Sequence, residues 1–183
     1  MGSEIGGDTE RADRFTRLIH SHADAVNRYL RNRHRPGDSL EAEDLLAEVF
    51  AIAWRRLEDI PSDAEVAWLI GVARNRLMNM QSKQSRRTRL TASLRPTSTS
   101  PSAEDEAVAE ISLSDAVESL PATEREAFTL SVWEGLSTRE LGIVLGITQN
   151  AAAIRLSRAR SLLLSRLSEE GHEMDGSVVK DTE

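Results

Sequence analysis

Residues 134–160 read EGLSTRELGIVLGITQNAAAIRLSRAR, and their spacing predicts two short helices joined by a tight turn. Ser137 is placed to cap the first helix, and Glu140, three residues on, completes a capping box. Leu141, Val144 and Leu145 fall on one helical face. Gly146 follows, at a position where a left-handed residue closes a helix. Thr148 is placed to cap the second helix, in which Ala152, Leu156, Ala159 and Leu163 recur as a buried stripe. Arg158 and Arg160 flank that stripe, and no acid occurs between Leu141 and Ser168. Two helices around a Gly-containing turn form a helix-turn-helix pattern, whose second helix is suited to a DNA groove. The same spacing would serve a plain helical hairpin in an all-helical core, and the rest of the chain decides between them.

Composition narrows the choice. The chain has 183 residues, 39% of them hydrophobic, enough for one domain or two small ones with a core. Aromatics make up only 4%, and Gly and Pro are modest, which favours helices over sheets. The absence of cysteine excludes disulfides, zinc–thiolate sites and cysteine nucleophiles. No apolar run approaches the roughly 20 residues of a membrane span. The first 15 residues lack a signal-peptide core. The expectation is a soluble cytoplasmic protein with no membrane insertion.

The net charge of −7, taken alone, argues against nucleic acid, but its distribution reverses that impression. Residues 1–90 hold 15 basic and 14 acidic residues, and residues 121–167 hold six and four. Residues 91–120 and 168–183 each hold one base and six acids. The acidity therefore sits in a linker and a tail. From Trp68 to Leu90 there are six bases and no acid, the local basic character a phosphate-contacting surface needs.

Along the chain, residues 1–11 are expected to be disordered. From Ala12, Phe15, Leu18, Ile19, His22, Val26, Tyr29 and Leu30 repeat at helical spacing until Pro36 and Gly37 break the pattern. Asp38 or Ser39 caps a second helix with an apolar face (Leu45, Leu46, Val49, Phe50, Ala53, Trp54, Leu57) and an acidic one (Glu41, Glu43, Asp44, Glu48). Acids near a helix start also suit its dipole. Ile60-Pro61 breaks the chain, and Ser62 and Glu65 have capping-box spacing before a third helix that fades into QSKQSRRTR. Residues 91–112 read as a flexible acidic linker, opening on the Ser/Thr/Pro-rich TASLRPTSTSPS. Thr123 and Glu126 give a further capping box after Pro121. The last helix is expected to end near Leu167, leaving 168–183 as a disordered acidic tail.

Enzyme chemistry finds little support. His20 and His22 would point about 160° apart on a helix, which is poor metal geometry, and His20 with Asp24 reads as solvated polar residues. There is no glycine-rich phosphate loop and no G-x-S-x-G elbow. Neither a catalytic residue, a metal site nor a cofactor is expected. The basic run Arg74, Arg76, Lys83, Arg86, Arg87 and Arg89 could be a solvated helix face. Trp68 and Asn75 at its start point elsewhere, since aromatic rings stack on unstacked bases and Asn offers paired donor and acceptor groups. The combination suits single-stranded or melted DNA.

Two stretches now carry a family resemblance. EDLLAEVFAIAW at 43–54, together with AWLIGVARNRL at 67–77, resembles region 2 of bacterial sigma factors of the sigma-70 family. LPATEREAFTLSVWEGLSTRELGIVLGITQNAAAIRLSRAR at 120–160 resembles region 4. Their order, with a linker in place of a region 3 domain, is similar to the extracytoplasmic-function group, and the likeness covers most of residues 12–167. It implies an all-α fold of two small helical domains, region 2 over 12–90 and region 4 over 113–167, joined by the flexible linker.

The resemblance also implies roles. Asp44, Ala47, Glu48 and Trp54 match the helix that docks on the clamp helices of the polymerase largest subunit, although relatives usually carry Gln where Ala47 stands. The loop Ile60–Ala67 matches the one that captures a flipped base of the minus-ten element. Trp68, Arg74, Asn75, Arg76, Asn79, Lys83, Arg86 and Arg87 match the minus-ten helix, with Asn75 the favoured base contact and Asn79 standing where Asp is common. Thr148 to Arg160 matches the helix that reads the minus-35 duplex. On it Thr148, Gln149, Asn150, Ala153, Ile154, Arg155 and Arg158 are the expected contacts, with Lys common at the place of Ala153 and Ser at that of Ile154. Gln149 and Asn150 suit base edges, Arg155 and Arg158 suit phosphates, and an exposed Ile154 would suit a thymine methyl.

The implied function is promoter recognition and minus-ten melting for transcription initiation, as a dissociable subunit without catalysis of its own. The implied partners are RNA polymerase core, through its clamp helices and flap, promoter DNA, and an anti-sigma factor. Two alternatives stand beside it. One is a helix-turn-helix regulator that acts without core polymerase, because LSTRELGIVLGIT also resembles response-regulator output domains. The other is a degenerate sigma-like interaction protein.

Overall fold

A computed structural model describes residues 3–33, 39–92 and 113–175, and all the regular structure in them is helical. The helices are α1 (Ser3–Arg33), α2 (Ser39–Arg55), α3 (Glu65–Ala92), α4 (Leu113–Glu118), α5 (Ala122–Trp133), α6 (Thr138–Leu145) and α7 (Gln149–Asp175). A single 3₁₀ turn, Leu57–Asp59, lies between α2 and α3. The chain divides into two compact units, the first built by α1, α2 and α3, the second by α4, α5, α7 and most of α6.

In the first unit each of the three helices packs on the other two. Helical periodicity explains the core. Leu18, Val26, Tyr29 and Leu30 of α1, Ala42, Leu45, Val49 and Ala53 of α2, and Leu69, Ile70, Ala73 and Leu77 of α3 are all buried where the three helices pack together. Each large aliphatic side chain removed from water contributes about 1.5–3 kcal/mol. Leu57, Ile60 and Ala64 of the α2–α3 connection are buried as well. Polar ties hold α1 to the α2–α3 connection and to the start of α3. His22 Nε2 lies 3.1 Å from Glu65 Oε2, and Arg14 donates to the Ile60 carbonyl oxygen at 2.9 Å.

Several boundaries differ from the sequence expectation. Helix α1 begins at Ser3 rather than Ala12. Arg11 donates to the Trp54 carbonyl oxygen at 2.8 Å and sets its guanidinium 5.0 Å from the Trp54 ring centroid. An Arg that buries its stem while keeping its head polar leaves no apolar periodicity to read. Ser62 does not cap α3, which starts three residues later at Glu65, and the Glu65 carboxylate turns to His22 instead. Thr123 does not cap α5 either. Pro121 precedes the first helical residue, and Thr123, inside the first turn, donates to Glu124 Oε2 at 2.6 Å. Helix α3 continues to Ala92, and α7 continues past Leu167 to Asp175. Residues 93–112 of the expected linker and 176–183 of the expected tail lie outside the described residues.

In the second unit α7 is the axis, packed on both α5 and α4. Ala116, Val117 and Leu120 meet Ala159 and Leu163, with Phe128 packed against the cluster. The stripe Ala152, Leu156, Ala159 and Leu163 is buried as its spacing requires. Both expected caps of the helix-turn-helix are formed. Ser137 Oγ accepts from the Glu140 amide at 3.3 Å while the Ser137 amide donates to Glu140 Oε2 at 2.9 Å. Thr148 Oγ1 accepts from the Ala151 amide at 3.2 Å.

Candidate nucleic-acid interface

The first candidate surface is one side of α3. At about 100° per residue, Trp68, Asn75, Asn79, Lys83 and Arg86 fall within about 60° of one line, opposite the buried Ile70, Ala73 and Leu77. The structure exposes Asn75, Asn79, Lys83 and Arg86 and leaves Trp68 half-buried. Arg76 lies at the edge of this face, and its Nε is 3.5 Å from Glu48 Oε2. Arg74 sits about 120° away and does not share the face. The side chain of Arg87 lies outside the described residues. The α3 face thus offers an aromatic ring, two amides and a file of cations, with no acid among its own positions.

Spacing did not reveal what holds Trp68. The Arg56 guanidinium sits 5.6 Å from the Trp68 ring centroid, and Arg56 Nε donates to Asp59 Oδ2 at 2.9 Å. The 3₁₀ turn, which no periodicity foretold, brings Asp59 round to fix that Arg. In the expected base-capture loop, Ile60 and Ala64 are buried in the unit's own core. Only Ser62 and Asp63 face solvent strongly there. The apolar residues of that loop therefore serve the fold.

The second candidate surface is on α2. Asp44, Ala47 and Glu48 are exposed and share one face with Ala51 and Arg55. Trp54 lies at its margin, about 80° off the centre of that face. The Trp54 ring meets Phe15 edge-on at 5.1 Å and receives Arg11, leaving 39% of the residue exposed. Trp54 therefore supports the α1–α2 contact as well as edging the surface. Glu48 ties this face to α3 through Arg76.

The third is the helix-turn-helix. Helix α6 ends in a Schellman arrangement: the Ile147 amide donates to the Gly142 carbonyl oxygen at 3.0 Å and the Gly146 amide to that of Ile143 at 3.4 Å. Gly146 has φ +66°, the left-handed conformation that a residue without Cβ adopts freely. Gly142 matters for a different reason. A Cβ there would stand 2.8 Å from the Ile147 carbonyl oxygen and 3.3 Å from the Gln149 amide nitrogen. The turn folds back over Gly142, a requirement signalled in the sequence by a Gly inside a helical pattern.

On α7 the expected contacts separate. Asn150, Ile154 and Arg158 are exposed on the side away from the buried stripe, and Thr148 and Gln149 are exposed at the start. Gln149 Nε2 lies 3.5 Å from Thr138 Oγ1. Ala153 and Arg155 are half-buried. The Thr123 hydroxyl holds the Glu124 carboxyl below its ordinary value, with the nearby Arg158 and Arg155 acting in the same direction. Glu124 is therefore ionised at neutral pH and sets a negative charge near both arginines.

Comparison with known proteins bears on both units of the chain. A family model of Sigma-70 region 2 matches residues 18–87, and one of Sigma-70, region 4 matches residues 110–163. The chain is 30% identical over 178 residues to the ECF RNA polymerase sigma factor SigL of Mycobacterium tuberculosis, across 93% of this chain and 98% of that protein. It is 33% identical over 164 residues to the ECF RNA polymerase sigma factor BldN of Streptomyces coelicolor, covering 85% of this chain and 61% of the length of BldN. The fold is similar to that of the sigma factor RpoE of Bartonella quintana, solved in complex with the anti-sigma factor NepR. There the TM-score is 0.58 at 21% identity, over 84% of this chain and 96% of that one. With both region models matched and SigL covered almost end to end, the chain belongs to the extracytoplasmic-function sigma factors of the sigma-70 family.

Proposed function

We propose that this chain directs RNA polymerase core to specific promoters and helps melt the minus-ten element, with no catalytic chemistry of its own. What carries the reading is the pairing on one chain of an acid-free amide-and-arginine face on α3 with a capped helix-turn-helix in α6–α7. A duplex-only regulator needs the second alone. In this reading Asp44, Ala47 and Glu48, edged by Trp54, meet basic residues of the clamp helices. Trp68, Asn75 and Asn79 meet unstacked bases of the minus-ten strand, and Arg76, Lys83, Arg86 and Arg87 meet its phosphates. Arg74, off that face, is the weakest of the expected minus-ten contacts.

Opening DNA costs a few kcal/mol of stacking per step, which capture of flipped bases offsets. The second unit meets the minus-35 duplex through Thr148, Gln149, Asn150, Ile154 and Arg158, with Ala153 and Arg155 at the margin, and meets the polymerase flap. Holding both DNA contacts on one tethered chain raises the effective concentration of the second once the first is bound. The protein works in the cytoplasm, and an anti-sigma factor is the partner expected to restrain it. Among the described residues no helix is long and apolar enough to cross a membrane.

Two substitutions test these assignments. Asn75→Ala is expected to lower the holoenzyme's preference for its own minus-ten sequence by about tenfold, within the ~1–3 kcal/mol of a bidentate base contact. Equal discrimination by both proteins in a competition assay would remove Asn75 from base reading. Arg158→Ala is expected to weaken minus-35 binding uniformly across sequences and reduce the salt slope of log K by about one. Loss confined to one base pair would mean that Arg158 reads sequence instead.

The whole reading is tested by measuring association with core polymerase and with duplex DNA separately. The expected result is tight binding to core and only weak duplex binding by the free chain. Sequence-specific duplex binding as a dimer, with no affinity for core, would replace it with the regulator reading.

A further inference from the structure

Helix α7 leaves Ile154, Leu162, Leu164 and Leu167 exposed, and of these apolar residues Ile154 is the one in the first two turns, next to the helix-turn-helix turn. Asn150, Ile154, Ser157 and Ser161 lie opposite the buried stripe, and all four are exposed. Three of them carry hydrogen-bonding groups. Ile154 carries none and leaves 43% of its surface in solvent. An apolar side chain there gains free energy only when another apolar group covers it. In a DNA major groove the apolar group on offer is the C5 methyl of thymine.

The neighbours sharpen this. Asn150 precedes Ile154 by four residues, about 6 Å along the helix axis, which spans one to two base steps. An Asn amide matches the N7 and N6 groups of adenine. Gln149 lies toward Thr138, Arg155 is half-buried, and Arg158 is at the flank suited to phosphate. In the first two turns of α7 the centre of the face is left to Asn150 and Ile154, with Ser157 and Ser161 continuing it further along the helix.

We propose that Ile154 is the specificity-determining residue of α7, an apolar reader of a thymine C5 methyl acting beside Asn150 on an adenine one or two base pairs away. The proposal rests on α7 being the helix that enters the minus-35 duplex.

Holoenzyme made from the full chain and core polymerase is used to select promoters from a library randomised across both elements. Each thymine of the selected minus-35 sequence is then replaced in turn by deoxyuridine, which removes only the methyl. At one position the replacement is expected to weaken wild-type binding about three- to fivefold, the value for one buried methyl. The same replacement should leave binding by Ile154→Ala unchanged, while Ile154→Val should retain the penalty. If no uracil affects wild-type binding, or if the penalty persists undiminished in Ile154→Ala, the proposal is overturned. A selection that enriches no minus-35 sequence overturns the underlying assignment of α7, and the proposal with it.

Discussion

Asp44→Arg combined with Glu48→Arg is expected to abolish association with core polymerase while leaving both helical units folded. Both side chains are exposed on α2, so neither holds the core together. Close charge pairs across an interface couple by about 1.5–7 kcal/mol, so reversing two of them lowers affinity at least a hundredfold. The cost to stability is small, because exposed ion pairs contribute about 0–1 kcal/mol. Glu48→Arg does break the contact with Arg76 and place like charges together. The single variant Asp44→Arg leaves that pair in place and separates the two effects. Core binding by fluorescence anisotropy, beside a thermal melt of each variant, makes the comparison. Unchanged core binding by the double variant would remove α2 from the polymerase interface.

Gly142→Ala is expected to destabilise the second unit and abolish minus-35 recognition without affecting core binding through α2. The added Cβ would stand 2.8 Å from a backbone carbonyl oxygen, which cannot move without opening the turn between α6 and α7. Overpacking of this kind costs about 1–3 kcal/mol, or very roughly 5–20 °C in melting temperature for a unit of this size. Gly146→Ala provides the contrast. Its Cβ would meet nothing within 4 Å, and only the positive φ opposes it. That cost is about 1 kcal/mol. The order matters more than the values: a larger loss at Gly146 than at Gly142 would show that backbone conformation, rather than close approach, limits the turn.

These two variants probe features that the sequence disclosed unequally. The helix-turn-helix was legible almost in full, because its information is local. A capping box, a left-handed Gly and an apolar stripe each depend on residues within one or two turns, and Ser137, Glu140, Gly146, Thr148 and Ala152 all behave as their spacing requires. Capping spacing failed where a competing partner lay elsewhere. Glu65 is drawn to His22, more than forty residues away in sequence, and Thr123 finds Glu124 next to it.

The candidate surfaces show the same division. The basic run and the family resemblance grouped Arg74 with Asn75, Asn79, Lys83 and Arg86. At about 100° per residue the last four share one side of α3 and Arg74 leaves it, while Asp44, Ala47 and Glu48 share one side of α2. Periodicity could not show that Arg56 lies over the Trp68 ring, that Arg11 lies over that of Trp54, or that Ile60 is consumed by the core. Those facts depend on how the 3₁₀ turn and the start of α1 return to the bundle.

The most direct test of the central claim is run-off transcription from a defined promoter, with purified core polymerase present or absent. The expected result is a transcript of fixed start that needs both core and this chain and disappears when the minus-ten or the minus-35 sequence is scrambled. Core that initiates no better with the chain than without it, on a library rich enough to contain its promoter, would contradict the account.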